Sequence, residues 1–510
     1  MDSSRREFVF RLAGGLAASL APSVASAQQK RPNILFVIFD DWGYNHAGVY
    51  GCDWIKTPNF DRVANEGVRF TNCFTSNPKC SPSRATILTG RNTWQLREAI
   101  NHTSIFPKGL TLYTDLLEKA GYAVGMTGKG WGPGDWQSTG YPHNPAGKEF
   151  QKAKLKPPYT GISPIDYAGN FSEFLGEKGK DQPFCFWLGG HEPHRAYEEG
   201  SGIRAGRNPA SVKLPAYLPD RKQVRSDFLD YALEVEWFDA QLGKALAKLE
   251  QIGELDNTFV VVTSDNGMPF PRVKGQIYEE DFHLPMAVRW GKNMAGGRVI
   301  GDFINFRDLA PTFMEVAGLR PAESMTGRSF LDVLKSGKSG MIDPKRNVSL
   351  VGKERHDLGR PNDAGYPVRA IRTLQYLYIK NYEPDRWPAG NPETGYRNVD
   401  DGPTKAAVTA VFDEYFRLSF GKRPAEELYL VEKDADCMQN LAEDPKYASI
   451  KNELRDRMEK MLKEEGDPRM LGHADFFDTI EYTGPHAHGY DAFLKNSGAK
   501  PSSTKPSGAK

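Results

Sequence analysis

The sequence predicts an α/β fold: a large, mainly parallel sheet flanked by helices, followed by a smaller C-terminal domain of antiparallel sheet plus helix. Three observations predict it. Continuous apolar runs alternate with longer stretches of helical periodicity. Several of those runs stop at polar or charged residues, and beyond residue 347 the texture changes to short strand-like pieces.

Residues 32–41 open the pattern, an unbroken apolar run closed by Asp40-Asp41. A strand covered on both faces reads this way, because neither set of alternating side chains meets water. Helical periodicity over 111–120 leads to a second strand, Tyr122–Thr127, before Gly128-Lys129. Phe184–Leu188 precedes His191, a long helix spans 227–253, and Thr258–Thr263 precedes Asp265. Ligands of such a sheet gather at the carboxyl ends of its strands. Residues 132–180 and 196–225, rich in Gly, Pro, Lys and Asp, are expected to form pocket walls there. Val368–Arg372, Tyr376–Lys380 and Leu428–Leu430 read as strands, and 447–464 as a helix. The expected domains are an export signal at 1–27, a catalytic domain at 28–345, a smaller domain at 346–490 and a disordered tail at 491–510.

With 510 residues, 39% hydrophobic and 26% charged, the chain is long enough for one large core and a companion domain. Its mean hydropathy is −0.56. Lys and Arg number 66 against 65 Asp and Glu, so no global field draws it to nucleic acid, and attraction of an anion must be local. Arg5-Arg6 with Phe8, the apolar stretch 12–21 and Ala25-Ser26-Ala27 read as a twin-arginine export signal ending before Gln28. No later run is long enough to span a bilayer, so the expectation is a periplasmic or secreted enzyme without a membrane anchor. Cys52, Cys73, Cys80, Cys185 and Cys437 imply no particular disulfide. Oligomeric state is not legible.

The densest motif is Cys80-Ser-Pro82-Ser83-Arg84, followed by Thr89-Gly90-Arg91. Taken alone it also fits a buried thiol at a helix start. Asp40-Asp41 and Ser264-Asp265-Asn266-Gly267 are clusters of hard oxygen donors at strand ends, suited to Ca²⁺ or Mg²⁺. Taken singly, each also fits a helix cap or a turn.

Together these motifs, with Pro32-Asn33-Ile34-Leu35, Thr57-Pro58-Asn59-Phe60-Asp61 and Gly128-Lys129, stand in an order that resembles the formylglycine-dependent sulfatases of the alkaline phosphatase superfamily. The resemblance runs from Arg31 to about Asp467. Within the family, His191-Glu-Pro-His194-Arg195, Asp265–Pro271, Glu427-Leu-Tyr and Asn440–Pro445 look most like the sulfamidases, which are N-sulfoglucosamine sulfohydrolases acting on heparan sulfate.

The resemblance implies roles. Cys80 would be oxidised to formylglycine, whose hydrate has one hydroxyl to attack sulfur and another to expel the sulfated adduct. Asp40, Asp41, Asp265 and Asn266 would hold a divalent cation with residue 80, calcium first and magnesium second. Arg84 would help ionise the nucleophile, Lys129 and Lys274 would grip sulfate oxygens, and His191 would protonate the leaving atom. His194 is expected to orient its neighbour. Arg195, His283 and His356 are candidate substrate contacts. One position departs from the family pattern: Trp131 stands where a histidine is usual, and it is expected to stack on a sugar ring.

The implied partners are a sulfated oligosaccharide and a formylglycine-generating enzyme acting before export. The implied activity is sulfate release from N-sulfated glucosamine, with O-sulfate hydrolysis as the alternative. The rival of another class is a non-catalytic binder of sulfated glycans, which would keep Cys80 as a thiol.

Overall fold

The computed structural model describes residues 30–485 and 489–497. The expected export signal lies outside the described residues, as does the tail from 498. In chain order the strands are β1 (Asn33–Phe39), β2 (Val68–Phe70), β3 (Cys73–Phe74), β4 (Ala123–Gly128), β5 (Lys148–Glu149), β6 (Phe184–Gly189), β7 (Thr258–Ser264), β8 (Met286–Arg289), β9 (Arg298–Ile300), β10 (Ile304–Asn305), β11 (Val348–Lys353), β12 (Val368–Thr373), β13 (Leu377–Asn381) and β14 (Glu426–Tyr429).

The main sheet runs β5-β4-β6-β1-β7-β8-β2-β9. Its centre is parallel, with Leu35 of β1 in register with Phe186 on one side and Val260 on the other. β8 is antiparallel to both β7 and β2. β1 has no exposed residue because each pleat face has its own core. Leu35, Val37 and Phe39 point into a cluster with Phe228, Val235 and Phe238 of the helix Lys222–Gln251. Ile34, Phe36 and Ile38 point into a cluster with Ile87 and Leu88 of the helix Cys80–Thr89 and Phe313 of the helix Leu309–Val316. Burying each such side chain contributes about 1.5–3 kcal/mol, so helices on both faces are what an unbroken apolar strand demands.

β11 to β14 form a four-stranded antiparallel meander. Its alternation also serves two cores. Val351, Ala370 and Ile379 pack with Phe74, Ile277 and Phe282, from outside the meander. Leu350, Ile371 and Tyr378 pack with Leu454, Met458 and Leu462 of the helix Ala448–Glu464. Buried ion pairs tie the meander down: Arg372 lies 2.7 Å from Glu279, and Arg369 lies 2.6 Å from Asp467.

Two expectations differ from the structure. Residues 491–497, expected to be disordered, belong to a helix Tyr490–Ser497. Tyr490 and Leu494, one turn apart, are buried there, and Tyr490 donates to Glu393 at 2.9 Å. Residues 132–180 and 196–225 do not wall the main cleft. They carry β5 and the helices Tyr167–Glu177 and Ser201–Arg204, and Tyr167 and Phe171 belong to the core beneath the sheet. Their Gly and Pro content mostly marks turns between packed pieces, and Lys213, Leu214 and Pro215 line a separate cavity beside His46 and Met268.

Candidate active site

Four neighbouring parallel strands, β4, β6, β1 and β7, end together, and each is followed by a polar group that the sequence singled out. Lys129 follows β4, His191 follows β6, Asp40 and Asp41 follow β1, and Asp265 and Asn266 follow β7. The chain turns sharply at Asp41, whose φ of 72° lies in the left-handed region. That conformation costs about 1–2 kcal/mol for most residues and less for Asp. Here the Asp41 amide donates to Asp265 Oδ1 at 3.1 Å, tying the ends of β1 and β7 together.

Cys80 begins the helix Cys80–Thr89, all of whose residues are buried. Residues four apart share a helix face, so Cys80 and Arg84 point the same way. The Cys80 thiol lies 3.5 Å from Asp40 Oδ1. Arg84 is fully buried and held by three acceptors: Asp265 Oδ2 at 2.9 Å, the Lys129 carbonyl at 2.6 Å and the Gly130 carbonyl at 3.0 Å. Its remaining nitrogen, Nη2, has no hydrogen-bond partner and lies 3.8 Å from Asp40. Lys129 pairs with Asp40 at 2.5 Å, and Lys274 pairs with Asp41. Asn266 donates to Asp41 Oδ1 at 2.6 Å.

Burial would raise the Asp40 carboxyl, but Lys129, His194, Arg84 and Lys274 together hold it well below the usual carboxylate range. Asp265 behaves oppositely, pushed up to about 6 by burial and by Asp40 despite Arg84. The Cys80 thiol is pushed up to about 12, first by burial and then by Asp40. An unmodified Cys80 is therefore a poor nucleophile, since the thiolate is the reactive form. His191 is exposed. The dense protein below it, then Lys129, disfavours its imidazolium, and its pKa falls to about 4. Its amide donates to the Tyr167 hydroxyl, which donates to Glu192.

Cys80 opens into a cleft of about 270 Å³. One flank is Lys79, His102 and Asp357, with Asp357 3.0 Å from Lys79 and 2.7 Å from His102. The other includes His194, Arg397, Asp400, Asp401 and Lys405. His194 Nε2 lies 3.9 Å from Asp41 Oδ2, and Asp400 lies 3.8 Å from Lys274.

Several residues singled out from the sequence are built into the fold instead. Trp131 is 2% exposed, packs edge-on against Phe106 at 4.8 Å and is pinned through Asn144, so its faces are not offered to a sugar. Arg195 makes a bidentate pair with Asp227 and lies against Tyr197 and Phe270. His283 stacks on Tyr44 and bonds to the Thr71 carbonyl, bracing a turn. His356 is buried against Asn77 at 2.7 Å, behind the cleft wall rather than in it. The sequence reading missed Lys79, His102, Asp357, Arg397, Asp400, Lys405 and Tyr482. Two signals were available: Lys79 adjoins Cys80, and Asp400-Asp401 repeats the carboxylate doublet of Asp40-Asp41.

The geometry agrees with comparisons to known proteins. Residues 32–319 match the family model described as Sulfatase, and residues 273–387 match that of the N-sulphoglucosamine sulphohydrolase C-terminal region. An ulvan-active sulfatase of Formosa agariphila is 30% identical over 448 residues, covering 87% of this chain and 82% of the relative. The human N-sulphoglucosamine sulphohydrolase is 27% identical over 485 residues, covering 86% and 91%. A protein solved in complex with its substrate D-glucosamine-2-N,6-O-disulfate has the same fold, with TM-score 0.63, 23% identity and coverage of 86% of this chain and 99% of that one. With more than half its length matched by the family model and the motifs gathered at one sheet edge, this chain belongs to the sulfatase family of hydrolases, in the alkaline phosphatase superfamily.

Proposed function

We propose that the protein removes sulfate from sulfated glycans or their oligosaccharide fragments, with the N-sulfate of glucosamine as the leading substrate. The observation that carries this reading is the convergence on Cys80 of Asp40, Asp41 and Asp265 with Arg84, Lys129 and Lys274. The likeness to the N-sulphoglucosamine sulphohydrolase over most of both chains supports the choice of sugar.

Asp40, Asp41, Asp265 and Asn266 would hold a divalent cation, calcium or magnesium. The residues fit one. Asp41 Oδ2 and Asn266 Oδ1 are buried acceptors without a hydrogen-bond partner, and the ligand atoms of Asp40, Asp41 and Cys80 lie within 4.8 Å of one another. When bound, the cation would supply the charge that acidifies a hydroxyl of the hydrated formylglycine derived from Cys80.

The remaining roles belong to the chain itself. Three carboxylates balance three side-chain cations around Cys80, so an added divalent charge leaves the pocket positive and receptive to an anion. Lys129 and Lys274 would turn from Asp40 and Asp41 to the sulfate oxygens and stabilise charge developing on them. Arg84, fixed from three directions, would hold the nucleophile one helical turn away in place. His191 would deliver a proton to the leaving nitrogen or oxygen, and the negative sulfate beside it would favour the imidazolium that the free site disfavours.

Export through the 1–27 signal, after conversion of Cys80 by a formylglycine-generating enzyme, completes the reading. No described helix is long and apolar enough to cross a membrane. The second reading is O-sulfate hydrolysis, for instance at the 6-position of glucosamine, and it needs no change of catalytic residue. A relative from Bacteroides thetaiotaomicron that is 28% identical over 423 residues, an N-acetylglucosamine-6-O-sulfatase, favours it.

The test is sulfate release from N-sulfated and from 6-O-sulfated glucosamine, using enzyme co-produced with a formylglycine-generating activity. Release from the N-sulfated sugar, lost in Cys80→Ala and on chelation and restored by Ca²⁺, is expected. Release from the 6-O-sulfated sugar alone would overturn the substrate and keep the machinery.

A further inference from the structure

The cleft above Cys80 does not end at its own wall. A second cavity, lined by Pro392, Gly395, Tyr396, Gly402, Ala406 and Thr409, shares Asp401 and Lys405 with it. The partition between them is preformed. Lys405 Nζ is fixed by the carbonyls of Val399 at 2.7 Å and Tyr396 at 3.2 Å and by Asp401 at 2.8 Å, so its charge stays at the junction without being free to swing. Tyr396 belongs to an aromatic series that continues away from the cavity lining: it lies 5.7 Å from the buried Phe416, and Phe416 lies 4.5 Å from Phe412. Phe412 is 76% exposed, the most exposed large hydrophobic side chain among the described residues. The helix Tyr490–Ser497 braces the outer loop, since Tyr490 and Asn391 both donate to Glu393, next to Pro392.

The two cavities differ in chemistry. The first is lined by ionised groups around the nucleophile. The second is walled mainly by ring, methyl and glycine surfaces, with the paired Asp401 carboxylate and Lys405 ammonium at its inner edge. Apolar walls beside a neutralised carboxylate–ammonium pair suit a pyranose, whose C–H face packs on aromatic or aliphatic surface while its hydroxyls reach the polar pair.

Resting on the function proposed above, we infer that the second cavity is a subsite for the sugar unit adjoining the sulfated one, with Tyr396 as its aromatic wall. The enzyme is then built for oligosaccharides of two or more units rather than for a free monosaccharide. Continuity with the catalytic cleft through Asp401 and Lys405 selects this occupant over an unrelated ligand.

The experiment compares a monosaccharide with a tetrasaccharide carrying the same sulfate at its non-reducing end. Ala406 is exposed on the cavity wall, so Ala406→Trp fills the cavity without disturbing the core, and Phe412→Ala, an exposed ring off the lining, serves as control. Wild-type enzyme is expected to show a KM about tenfold lower for the tetrasaccharide, one good aromatic–sugar contact being worth on the order of 1.4 kcal/mol. Ala406→Trp should abolish that advantage and Phe412→Ala should keep it, while both leave kcat/KM for the monosaccharide within about twofold. Equal KM values in the wild type, or variants that slow both substrates alike, would overturn the subsite. Binding of the tetrasaccharide to Cys80→Ala separates the two proposals. Absence of sulfate release from either substrate by the wild type overturns the functional reading. Tetrasaccharide binding that Ala406→Trp leaves unchanged overturns the subsite alone.

Discussion

The two sides of the cleft are built differently. The floor consists of short polar segments fixed to the ends of β4, β6, β1 and β7 and to the start of the helix Cys80–Thr89, all anchored in the two largest cores. The walls combine Lys79, His102 and His194 from segments around the main sheet with Asp357, Arg397 and Asp400 from loops between the strands of the small meander, Lys405 on the short helix Pro403–Thr409 in the same connection, and Tyr482 near the end of the described chain. Charged groups on strand ends are held within tenths of an ångström by backbone that cannot move without breaking a core, which is what bond-making chemistry requires. Loop-borne groups are easier to exchange, which is what substrate choice requires.

This contrast predicts how each side should fail. The largest effect belongs on the floor. Lys129→Ala, which removes a charge placed against Asp40, should lower kcat about 10³-fold, as for loss of one oxyanion-stabilising donor, and should also lower the denaturation midpoint because Asp40 is left buried without its nearest cation. A change confined to KM would place Lys129 in binding rather than chemistry.

Next comes the seam between the regions. Burial would raise Glu279, but Arg372 and His283 hold it at about 2. A depressed carboxyl contributes stability that is complete above the unfolded value of 4.5 and disappears as pH falls from 4.5 towards 2. Denaturant titrations of wild type and Glu279→Gln should therefore differ by about 3 kcal/mol at pH 6 and converge towards pH 2. A pH-independent gap would show that the carboxylate charge is not what joins the meander to the large sheet.

A smaller effect is expected on the wall. Asp357→Asn should raise KM about tenfold and leave kcat nearly intact, as loss of a charged hydrogen-bonding partner in binding would. A fall in kcat at constant KM would move Asp357 to the floor. The smallest effect is at Trp131. Because the ring is core and its indole N–H has no hydrogen-bond partner, Trp131→Phe should change stability by only about 1 kcal/mol and kcat/KM by less than about twofold. A tenfold loss for sugar substrates would restore it as a contact.

The same division explains what was legible beforehand. β1, β4, β6 and β7 were readable because a strand covered on both faces leaves an unbroken apolar record, and Asp40, Asp41, Cys80, Arg84, Lys129, Asp265 and Asn266 were readable because each sits in a short local motif beside such a strand or on the helix that follows. β2, β8 and β9 are only three or four residues long, and they left no pattern to separate from turns. Asp357 and Asp400 were missed because their meeting with Lys79 and Lys274 spans 278 and 126 residues of chain respectively, and no local spacing encodes such contacts. Arg195, His283 and Trp131, which lie off the cleft lining, were singled out for the opposite reason. A polar or aromatic residue near a motif looks functional until its partners, Asp227, Tyr44 and Phe106, are known.

The most direct test of the account is the mass of the tryptic peptide Cys80–Arg84 from protein made in its native host. The account predicts the aldehyde or its hydrate at residue 80, because burial leaves the thiol protonated and unfit as a nucleophile. A peptide carrying only the unmodified thiol would contradict it and would leave the floor of the cleft a binding site without chemistry.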